Sequence, residues 1–285
     1  MTPREEQLRA EICEVGRRVY ARGYVASNDG NISARLDDLY VLATPKNVSK
    51  GFMTPDMMVV TDMQGRKVAG HRDASTELKM HLAVYEMRPD IRAVVHAHPP
   101  LSTGFAVAGV PLNKSSLAEI IFSLGSVPIA EYATPSTQEL PDAVKRYISA
   151  HDGLLLANHG ALTAGQDLMN AYFKMETMEH FAQITLVARQ LGGENLISRE
   201  EVNRLQGLRD FYGIKSPAPI CTDPELAEGA GTTCQFVDAP ASDGPRIVPP
   251  MGTLPGGAEG GEIRLTYREL AALIADAVRQ VTRDA

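Results

Sequence analysis

Helical and strand-like segments alternate along the first two thirds of the chain, and this alternation constrains the fold more than any other feature. Residues 4–22 and 167–190 carry apolar side chains every three or four positions, the spacing of an amphipathic helix. In the first segment these are Leu8, Ile12, Val15, Val19 and Tyr20, and in the second they are Met175, Met178, Phe181 and Ile184. Strand-like runs lie between the two helices. The pattern predicts an α/β fold of three layers, with a central, largely antiparallel sheet flanked by helices.

Short apolar or β-branched runs predict the strands. They are residues 32–36, 39–43, 57–60, 91–98, 127–132 and 154–157. Turn residues separate the first three runs, which favours an antiparallel meander. The run 91–98 ends at two prolines, which donate no ladder hydrogen bond, and we expect it to lie near the centre of the sheet. A helix of about 12 residues should begin at Ser75, as its N-cap, and stop before Pro89.

Composition excludes several classes of protein. The chain has 35 acidic and 28 basic residues and a net charge of −7, which argues against a nucleic-acid binder. No apolar run approaches the roughly 18 residues of a membrane span, and no secretory signal opens the chain. The three cysteines, Cys13, Cys221 and Cys234, are widely spaced and contain no CxxC pair. We therefore expect a cytoplasmic protein in a reducing compartment, without a disulfide framework.

Three histidines occupy positions typical of metal ligands. His96 and His98 are two residues apart in a predicted strand, so both imidazoles should project from the same face. His159 follows a second apolar strand and precedes a glycine. Three neutral imidazoles suit a zinc-type site and leave one coordination position open for a substrate oxygen. The pattern predicts Lewis-acid catalysis at such a site.

Glu77 supplies a carboxylate near the start of the helix predicted after Ser75. Beside a divalent cation, this carboxylate could ligate the metal or act as a general base next to a polarised carbonyl. It is the best candidate for a general base in the chain. A glutamate near a helix N-terminus also has an ordinary structural explanation, because it offsets the helix dipole.

Taken together and in order, four motifs resemble the class II aldolase/adducin family, most closely its L-fuculose-1-phosphate aldolase branch. The motifs are SNDGNIS, TPKNV, STELKMHLAVYEMRPDIRAVVHAHPP and NHGAL, and the resemblance covers about residues 5–215. It implies one zinc ion per subunit, held by His96, His98 and His159. It also implies that Glu77 is the acid/base group and an occasional metal ligand.

The same resemblance implies a pocket for the phosphate of a substrate. Its residues are Asn28, Asn31, Lys46, Asn47, Ser75 and Thr76. A helix N-terminus beside the last two would favour an anion, and Gly30 would let the backbone approach closely. Family aldolases usually have glycine at the position of Asn47, and Lys46 is a candidate to supply charge instead.

The aldehyde side of the site departs from the family pattern. A tyrosine expected in the loop around residues 115–125 has no match, and this segment offers Ser116 and Glu119. The family's C-terminal tyrosine corresponds to Tyr212, which could protonate the aldehyde oxygen across a subunit boundary. The resemblance implies a homotetramer with active sites at subunit contacts.

The resemblance favours a zinc-dependent aldolase that cleaves a ketose 1-phosphate into dihydroxyacetone phosphate and an aldehyde such as L-lactaldehyde. The substrate partner would thus be a small sugar phosphate. Two alternatives stay open within the family. One is an L-ribulose-5-phosphate 4-epimerase, and the other is a non-catalytic scaffold of the adducin type.

A change of composition after about residue 215 divides the chain. We expect an aldolase domain over residues 1–215 and a flexible linker over 216–264, since ten of the 22 residues in 241–262 are glycine or proline. The spacing of apolar residues over 265–285 predicts an amphipathic helix. This tethered helix could seal an oligomer, dock on its own domain, or bind another protein as a targeting peptide, for instance to load the enzyme into a bacterial microcompartment shell.

Overall fold

The computed structural model describes residues 2–212 and 214, and in this part of the chain eight strands form one sheet. The strands are β1 (Asn31–Arg35), β2 (Tyr40–Ala43), β3 (Val59–Asp62), β4 (Lys67–Ala69), β5 (Ala93–Ala97), β6 (Ile129–Ala130), β7 (Gly153–Leu156) and β8 (Gly160–Gly165). The helices are α1 (Pro3–Ala21), α2 (Leu78–Met87), α3 (Pro100–Ala108), α4 (Ala118–Ser123), α5 (Glu139–Ile148), α6 (Leu168–Gln190) and α7 (Arg199–Phe211). Short 3-10 turns lie at Lys50–Phe52 and Pro55–Met57.

The sheet is mixed and mostly antiparallel. Its strand order is β4-β3-β2-β1-β5-β8-β7-β6. Every neighbouring pair is antiparallel except β6 and β7. The first three strands form the predicted meander, and β4, which was not predicted, extends it. Strand β5 lies inside the sheet between β1 and β8. The predicted central position of the 91–98 run is therefore confirmed.

Helices cover both faces of the sheet, as the three-layer prediction requires. Along β5, Ala93, Val95 and Ala97 pack in one apolar cluster, whereas Val94 packs in a second. The first cluster contains side chains of α1, α3 and α6, and the second contains side chains of α2 and α5. Because side chains alternate along a strand, His96 faces the same layer as Val94, which is the side of α2.

Several sequence predictions about the elements were wrong in detail. Strand β8 was not predicted, because glycines bound it and its residues show no alternation of polar and apolar side chains. The 127–132 run shortens to Ile129–Ala130, and the 57–60 run begins as a 3-10 turn before β3. Tyr20 is 43% exposed and packs edge-on against Phe52, so it lies outside the buried face of α1.

Two further observations concern the predicted organisation of the chain. Among the described residues, no helix is long and apolar enough to cross a membrane. The predicted linker, 216–264, and the predicted terminal helix, 265–285, lie outside the described residues. Both stay predictions.

Candidate metal centre

Three histidine rings converge at one end of strands β5 and β8. His96 lies on β5, His98 follows its last residue, and His159 lies in the turn between β7 and β8. The ring centroids are 4.8 to 5.2 Å apart. One possible ligand atom from each ring lies within 4.8 Å of the other two. The prediction that these histidines meet is confirmed, although His98 lies one residue beyond the strand.

Two glycines permit this close approach. A Cβ atom on Gly160 would lie 2.5 Å from Cδ2 of His98 and 2.7 Å from the backbone oxygen of Ala97. Gly30 has a φ of +73°, and a Cβ there would lie 2.8 Å from the backbone oxygen of His96. Only glycine fits both positions without displacing the chain that carries the histidines.

A hydrogen bond orients the ring of His96, and its Nε2 atom lies close to that of His98. Nδ1 of His96 donates to the backbone oxygen of Ala161 at 2.8 Å, which leaves its Nε2 free to ligate. Nδ1 of His98 lies 3.6 Å from Oδ2 of Asp29. Nε2 of His96 and Nε2 of His98 are 3.2 Å apart. Two nitrogens bound tetrahedrally to one zinc ion would be about 3.4 Å apart, so the spacing fits a divalent metal.

Glu77 completes this group of side chains. Its Oε1 lies 3.2 Å from Nε2 of His159, and its Oε2 lies 3.5 Å from Nε2 of His96. The amide of Asn31 donates to Oε2 at 2.8 Å. Asn31 pairs directly with His96 in the β1–β5 ladder, so the two side chains share the face that Glu77 approaches.

The electrostatic environment favours the protonation states that bind a cation. Burial lowers the pKa of His96 to about 3 and also lowers the pKa of His98. Burial by itself would raise the pKa of Glu77, but the contacts with His159, His96 and Asn31 outweigh it and hold that pKa well below its usual range. Neutral imidazoles and an ionised carboxylate are the forms that act as metal ligands.

The structure corrects the predicted start of the helix. Helix α2 begins at Leu78, with Glu77 at the N-cap position, rather than at Ser75. Ser75 is held in an extended segment, because its N–H donates to the oxygen of Thr44 and the adjacent Ala74 bridges to Pro45. Its hydroxyl accepts a hydrogen bond from the N–H of Glu77 at 3.3 Å. Ser75 therefore orders the approach to the helix and positions Glu77.

A pocket of about 260 Å³ adjoins the histidines. Its lining includes Glu77, His98 and His159, together with all of the residues predicted to bind a phosphate. Those residues are Asn28, Asn31, Lys46, Asn47, Ser75 and Thr76. The structure thus brings the two predicted ends of the site into one cavity. Whether these residues bind a phosphate stays a prediction.

The backbone conformation at Asn47 explains why asparagine can stand where the family usually has glycine. Its φ is +58°, in the left-handed region that glycine adopts without strain. Asparagine tolerates this conformation better than most other residues. Lys46 is half-exposed, and its Nζ lies 3.0 Å from Oδ2 of Asp73, so its charge is partly offset.

Sequence reasoning missed two charged residues of the pocket, Asp29 and Lys50. Asp29 stands inside the quoted SNDGNIS motif, where an aspartate before glycine is ordinary turn chemistry. Lys50 follows the TPKNV motif and is buried. No periodicity or spacing in the sequence marks it, since a lysine at a loop position normally faces solvent.

Tyr212 does not line the pocket of its own chain. It follows α7, is 61% exposed, and packs edge-on against Phe122 of α4, with ring centroids 5.0 Å apart. Thus Tyr212 lies beside the segment that lacks the family's loop tyrosine. Its predicted role requires a second subunit and stays a prediction.

Comparisons with known proteins agree with this geometry. Residues 10–186 match the family described as Class II Aldolase and Adducin N-terminal domain. The chain is 32% identical to an L-fuculose phosphate aldolase of Methanococcus maripaludis over 181 residues, 64% of this chain and 97% of that protein. It is 31% identical to a 5-deoxy-D-ribulose 1-phosphate aldolase of Bacillus thuringiensis over 73% of this chain and 98% of that protein. It is 29% identical to a 3-oxo-tetronate 4-phosphate decarboxylase of Pectobacterium atrosepticum over 64% of this chain and 85% of that protein.

The fold also matches a solved structure. The structure of an L-fuculose 1-phosphate aldolase superposes with a TM-score of 0.67 and 30% sequence identity, covering 72% of this chain and 96% of that one. The matched region contains the histidines, Glu77 and the pocket within residues 10–186. From its sheet, its histidine cluster and these matches, we conclude that the chain belongs to the class II aldolase/adducin family.

Proposed function

We propose that this protein is a zinc-dependent aldolase. It cleaves a ketose 1-phosphate of the L-fuculose 1-phosphate type into dihydroxyacetone phosphate and an aldehyde such as L-lactaldehyde. The observation that carries the proposal is the meeting of three Nε2 atoms and the Glu77 carboxylate beside a polar pocket. Two of the relatives named above are aldolases of ketose phosphates.

His96, His98 and His159 would hold the zinc ion through Nε2. Once bound, the ion supplies Lewis-acid polarisation of the substrate oxygens and stabilises negative charge as the carbon–carbon bond breaks. Imidazole nitrogen suits zinc, and three protein ligands leave a position for the substrate. The contact from Nδ1 of His96 to Ala161 fixes the tautomer that this binding needs.

Glu77 would move the proton at C3 of the dihydroxyacetone phosphate half. In the addition direction, its ionised carboxylate takes the C3 proton, and in cleavage it returns that proton to C3 after the C3–C4 bond has broken. The amide of Asn31 holds one carboxylate oxygen at 2.8 Å. The reaction also requires a group that moves the proton of the C4 oxygen, and we assign this to Tyr212 of a neighbouring subunit.

The other end of the pocket would hold the phosphate and thereby fix the reacting carbons. Asn28, Asn31, Ser75 and Thr76 offer amide and hydroxyl groups there, and Lys46 and Asn47 complete the set. Anchoring a remote phosphate accelerates the reaction mainly by orientation. Thr76 is itself held by the hydroxyl of Ser136, which donates to Oγ1 of Thr76 at 2.8 Å.

A second candidate reaction is decarboxylation of a 3-oxo acid phosphate. The relative from Pectobacterium atrosepticum, at 29% identity, favours it. Polarisation of a carbonyl next to the bond that breaks serves both reactions, and they differ in whether an aldehyde or CO₂ leaves. The 4-epimerase and the non-catalytic scaffold are the remaining alternatives, and a scaffold gives no reason to retain four metal-binding groups.

A panel of substrates tests the proposal on metal-quantified protein. We expect release of dihydroxyacetone phosphate from L-fuculose 1-phosphate, and loss of that release with a chelator. CO₂ release from 3-oxo-tetronate 4-phosphate, without aldolase activity, would favour the decarboxylase. Epimerisation of L-ribulose 5-phosphate would favour the epimerase, and protein without metal or turnover would favour the scaffold.

The assembly and location of the protein belong to the same proposal. We propose a homotetramer in the cytoplasm, in which Tyr212 reaches a neighbouring site. We also propose that residues 265–285 act as a targeting helix, with a microcompartment shell as one candidate partner. Size-exclusion chromatography with light scattering, on the full chain and on a chain ending at residue 264, would separate assembly from targeting.

A further inference from the structure

Lys50 is a buried lysine in the lining of the pocket. It begins the 3-10 turn Lys50–Phe52, and only 2% of its surface is exposed. Its Nζ donates to the backbone oxygen of Asn28 at 2.9 Å and to that of Val48 at 2.7 Å. Asn28 precedes β1, and Val48 follows β2. Lys50 therefore ties together two loops that form the pocket.

The charge of Lys50 is not neutralised by an ion pair within the described part of the chain. Lys46 differs, since it is half-exposed and paired with Asp73. A buried ammonium group is costly unless a counter-charge accompanies it. The two backbone oxygens use two of its three N–H groups. One N–H and a positive charge thus remain for a ligand.

The pKa of Lys50 lies near neutral pH, so a bound ligand can change the protonation of its amino group. Burial lowers the pKa of Lys50 to about 8, while the carboxylates of Asp29 and Glu77 act in the opposite direction from longer range. The ammonium form therefore prevails at pH 7. An anion bound in the pocket would stabilise this form and raise the pKa.

We propose that Lys50 is the cationic anchor for a phosphate monoester in this pocket and selects phosphorylated over unphosphorylated substrates. The identity of the whole substrate rests on the proposed function, whereas the anion site does not. Ser75 and Thr76 also line the pocket, and their hydroxyl groups can donate hydrogen bonds to an anion. Asp29 lines the pocket too and would repel a phosphate, but its Oδ2 lies 3.6 Å from His98, at the metal end.

Calorimetric binding of inorganic phosphate to the zinc-loaded full chain at pH 7 tests the anchor. We expect Lys50→Met to raise the Kd about tenfold or more, which corresponds to about 1.4 kcal/mol. Lys145→Met is the matched control, because Lys145 pairs with Glu86 outside the pocket and its loss changes the net charge equally. Its Kd should stay within about twofold of that of the unchanged protein.

Lys50→Gln covers the case in which Lys50→Met does not fold, since the amide can still donate to the backbone oxygens. Titrations at pH 8 in buffers of different ionisation enthalpy add a second measurement. Proton uptake on phosphate binding should occur in the unchanged protein and be lost in the variant. A purely structural lysine would not alter proton uptake.

The outcomes separate the anchor from the proposed function. Unchanged phosphate affinity in a folded Lys50 variant, or no phosphate binding by the unchanged protein, would overturn the anchor. Phosphate binding that depends on Lys50, without any cleavage of L-fuculose 1-phosphate, would support the anchor while contradicting the aldolase.

Discussion

The two ends of the pocket are built in different ways. At the metal end, His96 lies on an interior strand and is 1% exposed, and backbone pairing with β1 and β8 fixes its position. At the other end, which we call the loop end, several lining residues lie on loops and are exposed. They are Asn28, Lys46, Asn47 and Thr76. The contrast indicates that the sheet holds the group that must be aimed most accurately, whereas the loops can vary with the substrate.

The substitution with the largest expected effect removes a metal ligand, His96, from the metal end of the pocket. His96→Ala should lose bound metal and catalytic activity together, because two imidazoles and a carboxylate that also moves a proton cannot hold the ion in the same geometry. Metal content per chain and turnover measure this. His180→Ala, at an exposed position on α6, is the control and should retain both. Activity without bound metal would contradict the assignment of this end of the pocket as a catalytic metal centre.

The next substitution separates ligation from proton transfer. Glu77→Gln should retain most of the metal but lose turnover by about 100-fold or more, because the amide cannot accept the proton. Metal content and kcat, measured on the same sample, give the two values. Full activity in this variant would refute the assignment of Glu77 as the base.

A glycine substitution tests how tightly the metal end is built. Gly160→Ala should weaken metal affinity by about 10-fold to 100-fold, since the new methyl group would collide with the ring of His98. Competition with a chromophoric chelator measures this affinity. Gly104→Ala is matched to it, because the added Cβ there would meet no atom within 4 Å other than those of its chain neighbours and its own helix backbone. Equal affinities in the two variants would show that the histidines are loosely held.

The smallest expected effect lies at the loop end. Asn47→Ala should lower the free energy of unfolding by about 1 kcal/mol, because alanine is strained at a φ of +58°. Asn47→Gly should be close to neutral or slightly stabilising, since glycine relieves the strain. Urea unfolding of both variants measures the difference. A loss in the glycine variant that matches the loss in the alanine variant would assign the effect to the side chain instead.

The sequence predicted the metal end better than the loop end for a physical reason. Two histidines two residues apart on a strand share one face, so the pair at His96 and His98, with Glu77 and His159, indicated a metal site by residue type and spacing. Serine, asparagine and glycine near a turn have many uses, and their grouping into one pocket rested on the family resemblance. Lys50 gave no signal, because its burial depends on tertiary packing.

The fold likewise contains elements that the sequence predicted and elements that it did not. The helices α1 and α6 and the interior strand β5 were predicted from periodicity and β-branched content. Strand β8 was missed, although it pairs with β5, because a glycine at each end weakens the strand signal. Gly160 allows the close packing of His98, and Gly165 allows the close packing of Ala171. The helix start at Leu78 was misplaced, since a backbone bond from Ser75 to Thr44 overrode the capping preference of serine.

Zinc titration into chelator-stripped protein tests most directly whether the histidine cluster is a catalytic metal centre. Release of dihydroxyacetone phosphate from L-fuculose 1-phosphate should rise linearly with added zinc and reach a plateau at about one ion per chain. His159→Ala should show no such rise. Release that is already complete in the stripped protein, or that ignores the zinc, would contradict a metal-dependent aldolase.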